Sequence, residues 1–67
     1  MTPKKPAWAA VRNTEGREWI DINTLEVTAD LARSAASVTD ALIPLYAADN
    51  PVVRIVRVEV GERRWEK

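Results

Sequence analysis

Apolar positions along the chain change period twice. Residues 8–12, Trp-Ala-Ala-Val-Arg, make a short apolar run that stops at Asn13, Thr14, Glu15 and Gly16, residue types that suit a tight reversal. Beyond it, Ile20 and Ile22 alternate with Arg17, Trp19 and Asp21, which is the period of a strand with one buried face. The two segments predict an antiparallel hairpin with the isoleucines inward and the charges outward. Capping residues fill 23–28, and from Thr28 the period lengthens. Leu31, Ala35, Val38 and Leu42 recur at spacings of four, three and four, while Asp30, Arg33, Ser34, Ser37 and Asp40 lie mostly off that stripe.

This pattern predicts an amphipathic helix over 28–42, with Thr28 as its N-cap and Asp30 in its first turn. Its alanines favour helix and let it approach a sheet closely. Pro44 sets the limit, because a proline ring inside a continuing helix would clash with the carbonyl of Asp40 and remove a hydrogen bond. Leu45 and Tyr46 can add a further turn before the break at Asp49, Asn50 and Pro51.

The last apolar segment, 52–60, is dominated by β-branched residues and predicts a third strand ended by Gly61. Its alternation slips, because Arg54 differs in parity from Arg57 and Glu59. Either a bulge near Ile55 and Val56 places all three charges outside, or a regular strand carries apolar residues on both faces. The elements assemble as strand, strand, helix, strand. A helical crossover that returns the third strand beside the first gives an α+β fold, a three-stranded antiparallel sheet with one helix on one face, in order 2-1-3 by preference over 1-2-3.

Sixty-seven residues hold one core and no second domain. The organisation expected is an extended leader over 1–7, kept from helix by Pro3 and Pro6, a domain over 8–61 and a charged tail over 62–67. With no cysteine and no histidine, the chain lacks disulfides, the usual zinc ligands and the commonest general base. A chain this short without a staple makes a partner subunit plausible. Ten basic and ten acidic residues cancel, so no overall field draws it to nucleic acid or anionic lipid. No apolar run has the length of a signal peptide core or a membrane span, and the cytoplasm is the expected compartment.

Candidate chemistry is sparse. Gly16 and Gly61 stand alone, so there is no phosphate-binding glycine loop, and no nucleophile elbow, metal signature or calcium loop is present. Glu18 and Asp21, three apart in a strand, point to opposite faces and cannot flank one substrate. The expectation is therefore no enzyme, no cofactor and no metal. If the helix covers one sheet face, the other would present Trp8, Arg12, Arg17, Trp19, Arg54 and Arg57, and arginines beside aromatics suit protein hot spots and base stacking. The plainer reading pairs these arginines across strands with Asp21 and Glu59. Trp65, in the charged tail, joins the candidate surface as a lid or as an anchor in a partner.

The succession of Trp8, Ala9, Ala10 and Val11, the Gly16 turn, an isoleucine strand ending in Ile22, Asn23, Thr24 and Leu25, an alanine-rich helix and a final strand from Val53 to Val60 resembles small bacteriophage and prophage proteins. The resemblance implies an accessory factor or host-directed inhibitor and assigns no residue a role. The leading expectation is thus a non-enzymatic interaction protein with an unidentified protein partner. A nucleic-acid-binding module using the arginine and tryptophan face, and a homo-oligomer paired through its sheet face or edge, are the alternatives.

Overall fold

The structure, a computed structural model, describes residues 4–61. Strand β1 (Lys4–Thr14) and strand β2 (Arg17–Glu26) form the hairpin, helix α1 (Ala29–Leu42) and a short helix α2 (Pro44–Asp49) follow, and strand β3 (Val52–Gly61) closes the chain. The sheet is three-stranded and antiparallel in the order β2-β1-β3, so the small α+β fold and the crossover read from the sequence are the ones observed. Helix α1 packs on all three strands.

Glu15 and Gly16 make the hairpin turn with φ values of 52° and 85°. Two positive values suit the right-handed strand twist, and the Asn13 side chain accepts the Gly16 N–H at 3.0 Å. Glycine occupies one of these positions without penalty, while Glu15 carries a Cβ in the left-handed region. Glu15→Asn should therefore raise stability by roughly 0.5–1 kcal/mol, read as a higher urea midpoint at unchanged slope.

Thr28 caps α1, accepting the Leu31 N–H at 3.1 Å. The helix ends where Pro44 requires, and Pro44 then occupies the first turn of α2, where its missing N–H costs nothing.

Three details differ from the expectation. Strand β1 starts at Lys4, inside the expected leader, because Lys4, Lys5 and Pro6 pair with Gly61, Val60 and Glu59. Pro6 is tolerated because β2 reaches no further along β1 than Trp8, which leaves β3 as the neighbour there. The irregularity of β3 falls at Val53, since Val11 pairs with Arg54 and Arg12 with Val52. From Arg54 onward the register is unbroken through Ile55 and Val56, and the strand carries apolar residues on both faces.

The third difference lies in β2, which extends to Glu26 around a wide bulge in which residues 22–25 oppose Ala9. Thr24 repairs the ladder across it. Its buried hydroxyl accepts the Ala10 N–H at 2.7 Å and donates to the Asp21 carbonyl at 2.7 Å. A polar side chain thereby replaces a missing backbone partner, as buried amides demand.

Candidate functional site

The inside and outside of this fold are reversed in polarity relative to the sequence pattern. Among the described residues the buried apolar side chains are Ala7, Ala9, Ala10, Val11, Ala32 and Ala36, so Val11 alone exceeds alanine in size. Asp21 is 2% exposed, whereas Ile20 and Ile22, on the opposite face of β2, are 46% and 74% exposed. On α1 the buried positions are Ala32 and Ala36, and the larger Leu31, Val38 and Leu42 point outward. The expected core stripes of both elements are thus their outer faces.

Arg12 explains why Asp21 is inside. Its side chain is fully buried, with Nε donating to Asp21 Oδ2 at 2.6 Å and Nη1 to Asp40 Oδ1 at 3.0 Å and to the Asn50 carbonyl at 2.9 Å. The guanidinium carbon lies 5.0 Å from the Tyr46 ring centre, within cation–π range. Nη2 is buried without a hydrogen-bond partner among the described residues. Burial opposes the charge on Arg12, but its bonds to Asp21 and Asp40 outweigh that penalty and hold its pKa above the ordinary value.

Alanines at 32 and 36 let α1 come close enough for Asp40 to reach the guanidinium. Neighbouring bonds fasten the same corner. Asn13 N–H donates to the Pro51 carbonyl at 3.0 Å, Thr14 Oγ1 donates to Asn50 Oδ1, and Asn50 Nδ2 donates to the Tyr46 carbonyl at 2.9 Å.

These positions revise the candidate surface. Arg12 is a core residue and cannot contact a partner. By register, Trp8, Arg12, Arg17, Trp19 and Arg57 share one face, as the alternation implied, but it is the face on which α1 lies. Trp8 is half-buried between Glu26 and Arg57. Trp19 stays at the rim and donates its indole N–H to Thr14 Oγ1 at 2.8 Å.

Arg54 lies on the opposite face. It is bidentate with Glu18 at 2.7 and 3.2 Å, and this bridge links β3 to β2 over the central strand beside Val11. The hydrogen bond from Arg54 lowers the Glu18 pKa and raises that of Arg54 itself. Trp65 lies outside the described residues.

The accessible surface also carries a large apolar component. Ten large apolar side chains are exposed among the described residues, and α1 contributes Leu31, Val38 and Leu42, with Ile43 and Leu45 directly after it. Sequence reasoning missed this surface because it assigned the larger residues of each stripe to the core. The available signal was the second helical series, Ala29, Ala32 and Ala36, which has the same period with smaller side chains.

The buried carboxylate of Asp21 and the half-buried one of Asp40 are both occupied by Arg12. No group of three or more potential metal ligands occurs among the described residues. A groove of about 350 Å³ between α1 and β3 is open and lined by Arg33, Ser37, Asp40, Val53 and Arg54 among others. Of these, Arg33 pairs with Asp30 at 3.3 Å and Arg54 with Glu18. No described helix is long and apolar enough to cross a membrane. No protein-family model matches the chain, and neither the curated proteins nor the solved structures compared with it contain a significant match.

Proposed function

We propose that the chain is a non-enzymatic interaction protein that works through apolar surface complementarity. The observation carrying this reading is that, among the described residues, five alanines and Val11 make the buried apolar interior while Ile20, Ile22, Leu31, Val38, Leu42, Ile43 and Leu45 are exposed. Surfaces of that kind on a small domain mark contact sites for other proteins. A host-directed accessory role is a proposal of the same kind, since an inhibitor without catalytic chemistry would use the same surface.

The nucleic-acid reading draws less support. Arg12 is buried, Arg33 and Arg54 are engaged with carboxylates, and the ten basic residues are balanced by ten acidic ones, so the arginine face expected to meet phosphates is reduced.

Photocrosslinking tests the proposal. A benzophenone side chain introduced at Ser34 or Ala41, both exposed on α1, should give protein adducts in expressing cells. The same group at Glu15, in the hairpin turn, should give none. Equal yields at the three positions, or no adduct at any, would overturn the reading.

A further inference from the structure

We infer that the outer face of α1 is a two-fold pairing surface for a second copy of this chain, formed by antiparallel packing of the two helices. The inference rests on the interaction reading above and names its partner. Leu31, Ala35, Val38 and Leu42 follow the four-three-four spacing of a coiled-coil seam; Leu31, Val38 and Leu42 are 47%, 59% and 75% exposed and Ala35 is half-buried at its inner edge.

Three features favour a second copy over another occupant. The first is charge. From Ser34 to Ala48 the sequence has one charged residue, Asp40, and it is directed to Arg12 in the interior. A neutral stripe offers nothing to a partner selected by charge, and it meets its own copy without like-charge repulsion.

The second feature is shape. About an axis midway between Ala35 and Val38, antiparallel pairing sets Leu31 against Leu42 of the second copy and Ala35 against Val38. Small faces large in the middle layers, and leucine faces leucine at both ends, so the stripe is complementary to itself as an isologous interface requires.

The third feature is area. The exposed parts of Leu31, Val38 and Leu42 amount to roughly 300 Å² of the about 800 Å² per partner in an interface of standard size, and exposed Ile43 and Leu45 follow directly after the helix. The sheet already holds α1 in place, so little ordering cost opposes association. A partner needed to complete so slight a core must also be present wherever the chain folds, and a second copy always is.

Light scattering on the purified full chain provides the test, with charge variants at the end layers. The wild type should be a dimer at roughly 100 µM, a concentration at which even a weak interface of this kind is populated. Leu31→Glu/Leu42→Glu sets like charges against each other in either helix direction and should weaken the dimer by roughly a hundredfold or more.

Leu31→Glu/Leu42→Lys sets opposite charges together only when the helices run antiparallel, so it should stay dimeric where the double-glutamate variant does not. If the double-glutamate chain fails to fold alone, mixing it with Leu31→Lys/Leu42→Lys should restore both helical circular dichroism and the dimer. A monomeric wild type, a double-glutamate variant as dimeric as wild type, or no difference between the two charge patterns would overturn the inference. A monomer whose Ser34 photoadduct contains a different protein would remove the second copy and keep the interaction reading, whereas a monomer without any adduct would remove both.

Discussion

Replacing Arg12 by alanine should leave the chain largely unfolded in dilute buffer. The change strands Asp21, a carboxylate with 3% of its side chain exposed, and withdraws a donor from Asp40 and the Asn50 carbonyl. Breaking a buried ion pair by removing one partner costs about 3–5 kcal/mol. A domain of this length holds only about 3–10 kcal/mol in total, at about 0.05–0.15 kcal/mol per residue.

The diagnostic comparison is Arg12→Met with Asp21→Leu. This pair leaves no buried charge at either position and should recover much of the lost stability, short of the donors still withdrawn from Asp40 and the Asn50 carbonyl. Urea unfolding followed by circular dichroism measures both. If the double variant is as unstable as Arg12→Ala, the cost does not come from the stranded carboxylate.

Thr24→Val should produce the second largest loss, about 1–3 kcal/mol, although the side chains are nearly identical in shape. Valine cannot accept the Ala10 N–H, which lies buried where β2 bulges away from β1, and it cannot donate to the Asp21 carbonyl. Thr24→Ser keeps both bonds and loses a methyl group, for a cost of about 1 kcal/mol. Amide exchange separates the two, because Ala10 protection should collapse in the valine variant and persist in the serine variant. Equal protection in both would show that the hydroxyl is not what satisfies this amide.

Features encoded by neighbouring residues were legible in the sequence. The Asn13 and Gly16 turn, the Thr28 cap and the break at Pro44 each depend on a side chain acting within a few positions of itself, and their structural counterparts lie where the sequence put them. The observed strand order is the one preferred from the sequence, where a crossover beside β1 and one beside β2 both fitted the helix length.

The polarity of each face was not. Period two separates Ile20 and Ile22 from Asp21, but which set turns inward depends on Arg12, Asp40 and Asn50, spread across the chain. Likewise α1 carries a stripe of large residues and a stripe of alanines with one common period, and the burial of Arg12 decides between them by favouring a close helix. The leader failed for a related reason. Nothing local in Lys4, Lys5 and Pro6 announces partners more than fifty residues further along.

The Arg12 guanidinium also bears on the order of folding events. Its three hydrogen bonds span 9, 28 and 38 positions, and they reach β2, α1 and the corner between α2 and β3. The hairpin can form without the rest, so the bond to Asp21 is available early, but the other two require the crossover to have closed. A contact formed only after the rate-limiting barrier accelerates unfolding when lost far more than it slows folding, so the folding and unfolding rates of an Arg12 variant report whether this set closes late. The buried charge is thus complete only once the hairpin, α1 and the corner before β3 have all met.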